Sequence, residues 1–500
     1  MNTIRPFYLA FRVMLLLLIV PMGVSAKFDF NANCLKAYNA IFSLKLNTAR
    51  QLIAAEKKLN PDNGIIPLLE NYVDYFYLLT TDSKLEFDRL KQRKSDRLDQ
   101  LEDQDSTSPY YLYAQAEVNL QWALIRGRYG EYFTAAREIK KAHGQLLDNQ
   151  KMFPAFILNT KGIGLINAFL GNLPDGMLKS TLATFGIKGD LSQGIAMLDR
   201  LVETLPQSKY EAFFEEVVFY YSFVLNDIAH SPAAYAKTMK YTAQISDASL
   251  LKAYLRALVA AKSSHNDEAI NILMTRPTGL VYQPFPYLDY LLGAAKLNKL
   301  DYSSSTDFSR FLQLNKGVSY VKDANLHLSW VALLKGDNAA YMAFVSKVKS
   351  SGYTYQEKDK QALNEANDAA PQKTLLKARL LYDGGYFSRA LDVFSGLNEA
   401  DFAVGRDRTE YYYRLGRILG EVGKDDEAIV KYQRAINSGR SLRYYYAANA
   451  ALQVGKILER KKSWLKANSF FNLAIQMKNH DYESSIETQA KAGLKRIEGN

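Results

Sequence analysis

The stretch YYRLGRILGEVGKDDEAIVKYQRAINSG, residues Tyr412–Gly439, decides how this chain folds. Tyr412, Leu415, Gly416 and Leu419 recur at i, i+3, i+4 and i+7, so they share one face of a helix. Gly423 breaks that helix, and Ala428, Tyr432 and Ala435 carry a second stripe of the same period. Two amphipathic helices joined by so short a turn fold back on each other as a hairpin. A single hairpin cannot bury its apolar face alone, so units of this kind stack.

The same register recurs on both sides. Aligning Ala390, Ala428 and Ala467 gives three units separated by 38 and 39 residues. The first has Ala378 and Leu381, then Gly385, Ala390, Phe394 and Leu397. The third has Ala451, Val454, Gly455 and Leu458, then Ala467, Phe471 and Ala474. Small residues are expected where paired helices cross, Gly416 against Ala428 and Gly455 against Ala467, because they let backbones approach. Tyr432 and Phe471 are then free to fill the space beside the next unit.

These residues resemble the tetratricopeptide repeat family. Leu415-Gly416, Lys424-Asp425-Asp426-Glu427-Ala428 and Tyr432-Gln433-Arg434-Ala435 lie close to its consensus, and the resemblance covers about residues 371–479. There are departures. The first unit has Lys377 where the family prefers Leu, the closing Pro is absent from all three units, and about five extra residues, Arg443–Ala447, separate the second from the third. The resemblance implies an all-α, right-handed superhelical solenoid of stacked antiparallel helix pairs. Residues 371–480 form its clearest array, and 481–500 a capping helix with Ile486, Ala490, Leu494 and Ile497 at helical spacing.

Upstream the pattern weakens but returns. Ala37, Ala40, Ala49, Ile53 and Pro61 match one unit; Ala257, Ala269 and Leu273 match another; Leu292-Gly293 opens a further one; Leu328, Val331, Ala340 and Phe344 match one more. Residues 27–105 therefore read as a helical, repeat-like region and 106–360 as divergent helical repeats. Two Gly- and Pro-rich stretches, 172–190 and 279–286, are expected to be loops.

Met1–Ala26 has two bases (Arg5, Arg12), no acid, an apolar run from Val13 to Val20 and small residues at its end. That is the layout of a secretory signal peptide, and the apolar run is about half the ~20 residues a spanning helix needs. The expectation is export, a periplasmic or other extracytoplasmic location, and no transmembrane segment in the mature chain. The single cysteine, Cys34, excludes an intrachain disulfide and reads as a small buried apolar residue. Loss of the leader lowers the formal charge of +11 to +9. The excess is spread thinly. Its densest cluster, Lys84–Asp105, holds six bases and seven acids and reads as a solvated helical face, which argues against nucleic acid.

Signatures of catalysis and cofactor binding are missing from the sequence. The five histidines stand apart, no cysteine pair exists, and neither a phosphate loop nor a Gly-x-Ser-x-Gly elbow occurs. Gly162-x-Gly164 lacks its third glycine and reads as helix packing. No catalytic, metal or cofactor residue is assigned.

Binding is read from the repeat register. The residue after each small stripe position is Arg379, Arg417 or Lys456, and in tetratricopeptide proteins that position faces the concave groove. The resemblance also places Tyr413 there, whereas most of the 34 tyrosines read as packing residues. Three cations on successive inner helices point to an acidic peptide, a chain terminus or an anionic polymer. The function expected is an exported scaffold that binds a protein or peptide partner. The alternatives are an envelope protein held peripherally on an anionic surface or glycan, and a helical-toroid enzyme of glycan processing.

Overall fold

The computed structural model describes residues 28–173 and 177–498, so the leader expected over Met1–Ala26 lies outside the described residues. Every regular element among them is helical. Two compact units emerge. The first takes the chain to Ser231 with Ala248–Leu251 and Thr278–Gln283; the second takes Pro232–Asp247, Lys252–Pro277 and the chain from Pro284 onward.

The second unit is a run of helix pairs. Helix Val321–Lys335 pairs with Asn338–Ser350, Lys373–Asp383 with Phe387–Asp392, Arg406–Glu421 with Asp425–Gly439, and Tyr446–Arg460 with Trp464–Gln476. Glu483–Ile497 closes the run and buries Ile486, Ala490 and Ile497, as a capping helix must. The turn after Glu421 shows how the sequence sets these boundaries. Gly423 takes φ 80°, a left-handed conformation glycine adopts without strain, while Lys424 N–H bonds back to Leu419 O at 2.8 Å. Asp425, Asp426 and Glu427 then occupy the first turn of the next helix, where acidic groups complement the exposed N–H dipoles.

The packing stripe lies where the register puts it: Ala390, Ala428, Ala435, Ala467 and Phe471 are fully buried, with Tyr432 and Ala474 nearly so. What the small residues make room for differs from expectation. A Cβ on Gly416 would lie 2.8 Å from the Tyr432 ring, and one on Gly455 would lie 2.6 Å from the Phe471 ring. The glycines thus seat the aromatic four residues beyond Ala428 and Ala467, not those alanines. Phe471 is clamped from its other side by Gly493 of the capping helix, again at 2.6 Å. The first unit of the array departs further. Its second helix stops at Asp392, so Phe394 and Leu397 lie beyond it, and Phe394 packs on Tyr411 at 5.3 Å between ring centroids.

One helix start is completed from elsewhere in the chain. Asp359, on Glu357–Ala366, accepts the backbone N–H groups of Tyr320, Lys322 and Asp323 at 2.6, 2.9 and 3.2 Å. Those are N–H groups at the start of Val321–Lys335, which has no side-chain cap of its own.

In the first unit, Ala32–Phe42 and Leu46–Leu59 form the hairpin expected around Ala37 and Ala49. Cys34 is fully buried there, and burial pushes its thiol up to about 12. Gly162 and Gly164 are helix-packing residues, facing Leu146 and Leu198. The 172–190 segment is not wholly loop, since it contains helix Met177–Thr184. Lys84–Asp105 is not wholly solvated either: Arg97 is buried, bonded to Asp74 at 2.5 Å and Asn71 at 3.1 Å.

Candidate functional site

In the second unit the first helices of successive pairs line a cleft of about 290 Å³. Val321–Lys335 contributes Trp330, Lys373–Asp383 contributes Arg379, and Arg406–Glu421 contributes Arg406 and Glu410. The remaining wall comes from Tyr341 and Val345 on Asn338–Ser350, from the end of Glu357–Ala366 with the irregular stretch 367–371 after it, from the turn at 443–446, and from Asp481-Tyr482 before the capping helix. The turn at 443–446 belongs to the extra residues that break the repeat spacing. Instead of merely disturbing the array, they supply Tyr444, Tyr445 and Tyr446 to the cleft.

The three cations predicted as a row have different surroundings. Arg379 is bound by Glu365 through both terminal nitrogens, at 2.9 and 3.0 Å, and lies 4.8 Å from the Trp330 ring centre. Burial opposes its charge, but Glu365 outweighs that and holds its pKa well above the ordinary range. Arg417 stacks 3.9 Å from the Tyr382 ring centre and reaches Asp383 only at 4.0 Å. Lys456 donates to Gln489 of the capping helix at 2.9 Å, and burial followed by the Arg496 charge lowers its pKa. Arg417 and Lys456 are therefore far less committed to a carboxylate than Arg379.

Tyr413 does not face an open groove. It is 2% exposed, with its ring against Tyr432, Tyr445 and Tyr446 at 5.4–6.3 Å. The extra turn after Leu442 folds its tyrosines over the position that a regular repeat would leave open. Tyr413 is a packing residue, as Tyr412 was expected to be.

Sequence reasoning also missed a charged cluster inside the first unit. Lys161 Nζ bonds Glu216 Oε1 at 2.5 Å and Glu117 Oε2 at 2.8 Å, and donates to Tyr113 OH at 3.1 Å. The Tyr38 and Tyr72 hydroxyls each donate to Glu216 at 2.5 Å. All three charged side chains are 1% exposed or less. Burial, offset by Lys161 and reinforced by Glu216, raises the Glu117 pKa; burial also drives the phenols of Tyr38, Tyr72 and Tyr113 well above their ordinary value. The two carboxylates meet through Lys161 and are buried with it. Sequence separations of 55, 144 and 178 residues leave no local signal for the cluster.

Among the described residues no group of His, Cys, Asp and Glu could hold a metal ion, and no helix is long and apolar enough to cross a membrane. No protein-family model matches the sequence. No curated protein matches it. Solved structures similar to it include yeast Tom70, at a TM-score of 0.25 and 13% identity over 93% of this chain and 96% of that one. The Cut9–Hcn1 hetero-tetramer of the APC/C is another, at 0.26 and 10% over the same shares. The tetratricopeptide-like character rests instead on this chain's own hairpins and on the small–aromatic register that seats Tyr432 and Phe471.

Proposed function

We propose that the chain is an exported scaffold that holds a segment of a partner protein across the first helices of its C-terminal pairs. The cleft between those helices carries the proposal: it is lined by groups from four successive pairs, walled on one side by Tyr444, Tyr445 and Tyr446, and large enough for a side chain with its flanking backbone. Arg417 and Lys456 extend the binding face beyond the cleft, and the partner is acidic where it passes them. The secretory layout of Met1–Ala26 supports export.

The test uses the full chain with a photo-crosslinking residue at Tyr341, which lines the cleft, and a control at Tyr302. Crosslinks specific to Tyr341 are expected in the native envelope, and the double variant Arg417→Gln/Lys456→Gln should reduce them several-fold. Equal labelling from both positions rules the reading out. Salt-sensitive retention on anionic vesicles, unaffected by blocking the cleft, would instead favour an envelope protein held by its net charge.

A further inference from the structure

The four carboxylates around the cleft outlast the arginines available to them. Arg379 is taken up by Glu365. Arg406 donates to the carbonyls of Ala369 and Ala370 at 2.8 Å each, and to Asp407 at 2.8 Å. Arg443 is bound to Asp368 at 3.0 Å. Arg414, behind the wall, reaches Glu410 at 2.6 Å, but both of its contacts fall on Oε1. Two acceptors therefore remain. Glu410 Oε2 takes no part in the Arg414 pair, and the exposed carboxylate of Asp481 makes no side-chain hydrogen bond or ion pair among the described residues, although the Arg443 charge acts on it. A cation in the cleft would find these two groups as its nearest uncommitted acceptors.

The walls suit the same charge. Tyr445 lies 4.6 Å from Tyr446 and 5.1 Å from Tyr482 between ring centroids, with the Tyr445 and Tyr482 planes at 89°. Rings set edge to face around a cavity present at least one negative face to whatever enters. An anion would meet ring faces and carboxylate oxygens, and the three arginines of the lining are each already engaged by a carboxylate or a carbonyl.

We propose that this cleft binds an organic monocation, the lysine or arginine side chain of a held segment, with Asp481 and Glu410 Oε2 as counter-ions and Tyr445, Tyr446 and Tyr482 as its walls. This rests on the scaffold reading for the source of the cation and adds a selectivity opposite to that of the Arg379–Arg417–Lys456 row. A partner held by both is of mixed charge, with a base in the cleft and acids beside Arg417 and Lys456.

The experiment is fluorescence anisotropy on the full chain with fluorescein-labelled Gly-Ser dodecapeptides carrying three lysines, arginines, glutamates or norleucines. The protein's own net charge of +11 favours the glutamate probe, so bulk attraction cannot produce a preference for the basic ones. The lysine or arginine probe is expected to bind at least fivefold more tightly than the glutamate and norleucine probes, as about 1 kcal/mol of cation–π and ion pairing requires. The variants Asp481→Asn and Tyr482→Leu change exposed side chains, and each should weaken the basic probe about three- to tenfold while leaving thermal unfolding unchanged. Tighter binding of glutamate, no binding of any probe, or full binding by Asp481→Asn overturns the inference. The Tyr341 crosslinks would survive that outcome if only the cation selectivity were wrong, and would vanish if the scaffold reading were wrong.

Discussion

Replacing Lys161 with Met tests whether the buried cluster of the first unit is an electrostatic unit. In the native fold one ammonium faces two carboxylates, all 1% exposed or less. Removing it leaves one more carboxyl than the site can keep charged, and the least costly response is to fold with that carboxyl protonated. With an unfolded pKa near ~4.3 and ~1.36 kcal/mol per unit, the protonation costs about 4 kcal/mol at pH 7.5 and about 1.6 kcal/mol at pH 5.5. The first value matches the ~3–5 kcal/mol typical of a broken buried pair. The sign follows from proton uptake: a carboxyl raised above its unfolded pKa binds more protons folded than unfolded. Its contribution is fully present below the unfolded pKa and is lost as pH rises through the folded one. The variant should therefore recover stability on acidification. Hydrogen exchange read on peptides within Tyr110–Arg128 and Asn159–Gly171 gives the local opening free energy at both pH values. The double variant Lys161→Met/Glu117→Gln should regain much of the loss at pH 7.5. A loss below about 1 kcal/mol, or one equal at both pH values, would refute an electrostatic role for the cluster.

Phe471→Ala should cost about 3–5 kcal/mol in urea unfolding of the C-terminal helices, because the ring fills the space between Gly455 and Gly493. Asp359→Ala leaves three N–H groups of a neighbouring helix start without their acceptor and should cost about 2 kcal/mol by thermal unfolding, with Asp359→Asn costing less. Cys34 should resist alkylation by iodoacetamide at pH 8 in the native protein and react once urea unfolds it. Native labelling at the rate of a free thiol would contradict its burial.

The hairpins were legible because a period near 38 residues repeats small and aromatic residues at fixed offsets, and those offsets are geometry written in sequence. Gly416 and Gly455 could be picked out, yet their partners were displaced by one helical turn, from Ala428 to Tyr432 and from Ala467 to Phe471. Residues four apart share a helix face, so the pattern alone cannot say which one meets the glycine. The binding row was legible as positions but not as chemistry. The carboxylate that takes up Arg379 sits at Glu365, before the repeat begins, and the side chains that cover Tyr413 come from the turn that breaks the register. Asp359 and the Lys161 cluster were invisible for the same reason. Each is assembled across pairs of elements, and no window along the chain contains both partners.

The cleft also crosses the grain of the array. Along the pairs each helix touches chiefly its sequence neighbours, so the capping helix can fray with little consequence at Val321–Lys335. The cleft lining nevertheless runs from Leu326 to Tyr482. An occupant touching both ends would act as a cross-brace, adding a long-range constraint that the nearest-neighbour stacking lacks. The energy of holding it would appear as resistance of the C-terminal end to exchange and proteolysis, so the loaded and empty scaffolds would differ most at residues far from the side chain that was captured.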